Sequence, residues 1–243
     1  MAGETVRSEA ICLDIRPWSR TSHVVSWLTP VGKVATVVKG AVRSKSFFLG
    51  QYDLNYTCDI LYYAGAKGDV HALRDCVPVR MREGLRDDYR ALALAGYFRR
   101  LVGELAPAGA ECAAWCEELG LRLDSCASPA SGQEFASPFF LSQMLGFELR
   151  ILKLSGLEPD FSGYDQDAEW SAFSLETGSF VAGGGRCIRI SRDVADCLAQ
   201  LQCGAETAPQ NIPLDAARVI SVFYQFHLDC ASDVRRSVLG MIS

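Results

Sequence analysis

The sequence predicts an α+β multidomain protein: a small closed β-sheet to about residue 80, then a helical domain. Three observations carry that prediction. Residues 7–79 hold five short apolar or alternating runs separated by Gly- and Pro-containing turns, the pattern of a compact all-β unit. From Pro78 onward the spacing of apolar residues changes to the 3.6-residue period of helices. The charge changes with it, since residues 1–80 are net positive and residues 81–243 net negative within a chain of formal charge -5. A length of 243 residues allows each part its own core.

In order, Glu9–Ile15 and Val24–Leu28 form the first two predicted strands. Thr29-Pro30-Val31-Gly32-Lys33 is a turn, because Pro presets one φ and Gly permits the next. Lys33–Gly40 is the third strand, hairpin-paired to the second. Asp53–Tyr63 alternates over a long span, Ala64–Asp69 is a turn, and Val70–Val77 completes the five. Helices are then predicted over 89–102, 111–123, 135–154, 191–202 and 214–228, with a short last one over 233–242. Ser191 is placed to cap the fourth, with Asp193 in its first turn. Between Gly156 and Gly185 helical periodicity is lost, and residues 157–187 read as an irregular insert with a strand-like Trp170–Leu175.

Composition narrows the class. The start, Met1 to Arg7, has no apolar run behind a basic segment, so no signal peptide is expected. No stretch nears the roughly 20 apolar residues of a membrane span, and a cytoplasmic location is expected. Ten cysteines are scattered without a Cys-x-x-Cys pair, which predicts reduced, buried thiols and neither disulfides nor zinc. No Walker motif, nucleophile elbow or paired carboxylate cluster is present, so no catalytic residue is expected and the protein is read as a non-enzyme. His23, His71 and His227 have no Cys or acid at ligand spacing.

The functional signal lies between Ile15 and Tyr52. This run carries Arg16, Arg20, Lys33, Lys39, Arg43 and Lys45 and no acid, closed off by Asp14 and Asp53. Local inversion of charge in an acidic chain is the footprint of a surface that meets phosphates. Long flexible cations neutralise a backbone without reading its sequence, and Gly40 lets the main chain approach. Trp18, Trp27, Phe47 and Phe48 could stack on bases; for Trp18 and Phe48 core is an equal alternative, and Trp27, between Val25 and Leu28, is read as core. The alternative for the cations is a solvated basic face.

Arg16-Pro17-Trp18-Ser19-Arg20, Leu28-Thr29-Pro30-x-Gly32-Lys33 and Lys39-Gly40-Ala41-Val42-Arg43-Ser44-Lys45-Ser46 resemble, in order and spacing, the N-terminal domain of the RecO recombination-mediator family. Leu152-x-Leu154-x-Gly156-Leu157-x-Pro159, Phe223–Leu228 and Arg235–Leu239 resemble its central and C-terminal elements. The resemblance implies an oligonucleotide-binding (OB-fold) barrel over 1–80 and a helical domain over 81–243. It implies binding of single- and double-stranded DNA, annealing of complementary strands, and loading of recombinase onto DNA coated by single-stranded-DNA-binding protein, with RecR and possibly RecF as partners. It also implies that Arg99, Arg100, Arg150 and Lys153 receive the tail of single-stranded-DNA-binding protein; Arg235 and Arg236 are candidates for that role or for a helix dipole. Many members hold zinc with two Cys-x-x-Cys pairs in the insert. Here Tyr164, Asp167, Ala182 and Gly185 fall at those positions, so a degenerate, zinc-free insert is expected, with no cofactor.

Overall fold

The computed structural model describes residues 4–64, 70–108, 112–129, 137–203, 211–228 and 232–241. The predicted turn at 65–69, the predicted starts of the helices at 111 and 135, and Cys230 lie outside the described residues. The chain divides into two compact units, Met1–Ser128 and Pro129–Ser243.

The first unit is built on five strands: β1 (Glu4–Ser19), β2 (Ser22–Thr29), β3 (Gly32–Val38), β4 (Thr57–Ala64) and β5 (Val70–Arg80). They close into a barrel of order β1-β2-β3-β5-β4, antiparallel except where β3 meets β5. β1 is much longer than the alternation over 9–15 predicts, because it pairs with β4 along its first half and with β2 along its second. Inward alternation fills the barrel with Val25, Trp27, Val38, Cys58, Ile60 and Cys76, all fully buried. Trp27 is core, as expected, and its indole N–H donates to Thr36 Oγ1 at 2.8 Å. The β2–β3 hairpin turns through Pro30-Val31, with Thr29 opposite Gly32 and Gly32 at φ 134°.

The boundary at residue 80 marks the end of the strands, not of the compact unit. Two helices, α1 (Tyr89–Leu105) and α2 (Ala113–Ala127), belong with the barrel. Asp88 caps α1, its carboxylate accepting from the Arg90 N–H at 2.7 Å. Leu94, Phe98 and Leu101, at i, i+4 and i+7, form its buried stripe. Polar links add to the packing. Lys33 Nζ donates to Gly103 O at 3.0 Å, Arg99 Nη1 donates to Leu13 O, and Cys112 N–H donates to Pro30 O at 2.7 Å. Arg82, held in the left-handed region at φ 54°, bridges Asp124, Asn55 O and Thr57 Oγ1.

The second unit is not all-helical. Around α3 (Ser137–Leu154), α4 (Arg192–Gln202), α5 (Leu214–His227) and α6 (Ser232–Leu239) it holds a three-stranded antiparallel sheet in the stretch predicted as irregular. Its strands are β6 (Trp170–Ser174), β7 (Ser179–Val181) and β8 (Cys187–Ser191), ordered β7-β6-β8. Phe173 is the centre: it stacks on Phe161 at 5.0 Å and meets Phe180 and Phe223 edge-on at 5.3 and 6.1 Å. Ring packing of this kind supplies the apolar burial that a small sheet needs against a helix. Ser191 occupies the N-cap position of α4 in extended conformation, without a side-chain hydrogen bond. Among the described residues no helix is long and apolar enough to cross a membrane.

Candidate nucleic-acid interface

Three of the predicted residues converge. Pro17 lies opposite His23, and His23 opposite Val38, so the ends of β1 and β3 flank β2 at one end of the barrel. There Trp18, Lys39 and Arg43, with Ser22, Val37 and Gly40, line an open cleft of about 440 Å³. No carboxylate lines it. Trp18 is 67% exposed, an unusual amount for the largest apolar side chain.

The loop that carries the cations is an ordered chain of turns. Gly40 N–H donates to Ser22 Oγ at 3.3 Å, Arg43 N–H to Gly40 O at 3.1 Å, and Ser46 N–H to Arg43 O at 2.8 Å. Gly40 sits at φ 68°, where a side chain is strained, and an added Cβ would lie 3.3 Å from Arg43 Cδ. Arg43 therefore packs directly over the glycine. Buried Ala41 and half-buried Phe48 pin the loop to the barrel. Farther on, Tyr52 meets His23 Nδ1 through its hydroxyl at 2.8 Å.

The remaining predicted cations separate into free and engaged groups. Arg20 and Lys45 are exposed on the same two loops. Arg16 is exposed but pairs with Asp14 at 2.5 Å, which neutralises it. Lys33 is half-buried and spent on Gly103 O, a link within the unit. Phe48 is largely a core contact, and its edge-on neighbour Phe47, 66% exposed, takes the outward place instead.

The four residues expected to meet a partner tail are divided between the units. Arg99 is half-buried between α1 and β1, where burial pushes its guanidinium below the usual arginine range, and its Nε has no hydrogen-bond partner. Arg100 pairs with Glu104 on its own helix at 2.9 Å. Lys153 pairs with Glu158 at 2.9 Å, and Arg150 is exposed. Arg235 is a correction to the sequence reading. It is buried, holding Glu148 through two bonds of 2.7 and 3.0 Å and Ala217 O through a third of 3.0 Å, so it joins α6 to α3 and α5.

At the insert positions aligned with zinc ligands, Tyr164 donates its hydroxyl to Asp196, and Asp167, Ala182 and Gly185 are exposed. Among the described residues no three His, Cys, Asp or Glu are grouped to hold a metal ion.

No family model matches the chain. Over 180 residues it is 26% identical to a protein of Alkaliphilus metalliredigens, a match covering 71% of this chain and 69% of the relative. Over 152 residues it is 31% identical to one of Geobacter metallireducens, covering 61% of each and so less than two thirds of that relative. Both relatives are, by name, DNA repair proteins. Each is named DNA repair protein RecO, and together they support RecO as the family of this chain.

Proposed function

We propose that the chain acts in DNA repair as a RecO-type mediator. In this reading the barrel is an OB fold that binds single- and double-stranded DNA. It brings complementary strands together and helps place recombinase on DNA coated by single-stranded-DNA-binding protein. The observation that carries the reading is the cleft of Trp18, Lys39 and Arg43: an exposed indole and two cations lining one cleft, with no carboxylate in the lining. Cations neutralise phosphate and release counterions, while the indole stacks on a base of any identity. Annealing needs charge neutralisation and proximity, so no catalytic group is required. The insert offers no thiolate set, and we assign it no zinc. RecR, RecF and the tail of single-stranded-DNA-binding protein are partners by family analogy.

A second reading is favoured by one observation: Arg16 is paired with Asp14 on the surface and Lys33 is bound to Gly103 O, thinning the basic face. Under that reading the chain is a protein-interaction adaptor with little affinity for DNA. Annealing of two labelled complementary strands, bare and coated with single-stranded-DNA-binding protein, separates the two. The mediator reading expects acceleration by wild type and its loss in Lys39→Ala/Arg43→Ala/Lys45→Ala. Annealing that the triple variant leaves unchanged refutes the barrel site, and no acceleration at all leaves the adaptor.

A further inference from the structure

The sheet of the second unit has one face in the core and one open. Phe173 and Ile190 are buried beneath it. Cross-strand partners share a face, so Ala172 with its opposites Val181 and Arg189, and Trp170 two residues before it, lie together on the other side. Over them is an open cleft of about 640 Å³ whose rim includes Tyr164 and Asp165. Ala172 makes a shallow floor, and Trp170 stands beside it, 44% exposed.

Charge around this cleft is the reverse of that on the barrel. Residues 154–185 contain six acids and no Lys or Arg. Asp165 lines the cleft, and Asp167 and Glu169, which flank lining residue Ala168 in sequence, are exposed as well. A nucleic-acid backbone or an acidic peptide meets repulsion there. Two cations reach this region: Arg192 donates to Gln166 O on the acidic loop, and Arg189 reaches the floor, its guanidinium 5.5 Å from the Trp170 ring centroid. Arg189 thus shows, within the chain, what the indole face accepts: a cation held by the ring quadrupole. The cleft is a sheet face open to one side, not an enclosed chamber, and such a surface suits an extended segment more than a small molecule.

We infer that this face docks a short, extended peptide segment of a partner protein, with a Lys or Arg over Trp170, an apolar side chain over Ala172, and further basic residues along Asp165, Asp167 and Glu169. The segment's cation displaces Arg189 from the indole, and Arg189 swings into solvent. This site is independent of the barrel cleft and of the DNA reading.

The test uses the full chain and two fluorescein-labelled probes: a short peptide of alternating Lys and Val, and its Glu–Val counterpart. Anisotropy should rise for the Lys–Val peptide and stay flat for Glu–Val. Ala172→Arg, which puts bulk and positive charge on the floor, should weaken Lys–Val binding at least about tenfold. Asp165→Asn/Asp167→Asn/Glu169→Gln should weaken it several-fold, and this surface variant leaves the core untouched. Single-stranded DNA binding should be the same in all variants, which separates this site from the barrel. Equal binding of both peptides, binding of neither, or Lys–Val binding indifferent to Ala172→Arg overturns the inference. Loss of DNA binding in Ala172→Arg would assign the cleft to nucleic acid, and a change in sedimentation would assign it to a second copy; each refutes the peptide.

Discussion

If the barrel binds DNA as proposed, the salt dependence of that binding has a magnitude that follows from which cations are free. Of the six in the acid-free run, Arg16 is neutralised by Asp14 and Lys33 is tied to Gly103. Arg20, Lys39, Arg43 and Lys45 are exposed and form no ion pair with the described residues. Each phosphate neutralised on a single strand contributes about -0.7 to the slope of log K against log salt, so four cations predict a slope of roughly -3 where six would give about -4. Over a tenfold rise in salt the affinity should fall about a thousandfold. Anisotropy with a labelled oligonucleotide at several salt concentrations measures this directly. Lys39→Ala/Arg43→Ala/Lys45→Ala should reduce the slope to about -1, the share of Arg20. The neutral exchange Asp14→Asn/Arg16→Gln should leave it alone. Lys33→Ala should cost stability, about 1.5–3 kcal/mol for a lost charged hydrogen bond, with little change in slope. A triple variant that keeps the wild-type slope, or a Lys33→Ala slope change as large as that of Lys39→Ala, would refute the reasoning.

Other outcomes follow from single contacts. Arg235→Met deprives fully buried Glu148 of its guanidinium and should cost about 3–5 kcal/mol in denaturant unfolding, whereas Glu148→Leu/Arg235→Met should recover most of that loss. Asp88→Ala should cost about 1 kcal/mol through the α1 cap. The Arg90 side chain, and then its N–H, hold the Asp88 carboxyl below the usual carboxylate range. Its contribution is therefore complete above the ordinary value near pH 4 and is lost as pH falls through the lowered one, so wild-type and Asp88→Ala stabilities should converge in acid. Gly40→Ala should destabilise by about 1 kcal/mol and weaken oligonucleotide binding a few-fold, because the added Cβ strains φ 68° and displaces Arg43.

Most elements were legible because their signals are local. Five strands and six helices fall where period and punctuation place them, and the acid-free run marks the barrel end where Trp18, Lys39 and Arg43 meet. What escaped depends on long-range pairing. The length of β1 is set by two partners in different parts of the chain, and β7 and β8 pair with β6 across a glycine-rich stretch whose local preference is for turns. Charge counting also treated all cations alike. That Arg235 faces a carboxylate 87 residues away, and Lys33 a carbonyl 70 residues away, is a tertiary fact with no local trace.

The links between the barrel and α1 bear on how the first unit opens. Lys33, Arg99 and the Cys112–Pro30 bond each tie a strand or hairpin to the helical pair, so separating them leaves a buried guanidinium and carbonyls without partners. Backbone amides of β1–β3 and of α1 should then exchange with solvent as one cooperative block, with a common opening free energy. The loop from Gly40 to Gly50 is bound mainly by short-range turns, its main-chain links to the barrel being Gly40 N–H to Ser22 Oγ and Val42 N–H to Thr21 O, and its amides should exchange through smaller openings than the strands. Opening of the loop and opening of the barrel are in this way uncoupled: the loop can rearrange while the block beneath it stays closed.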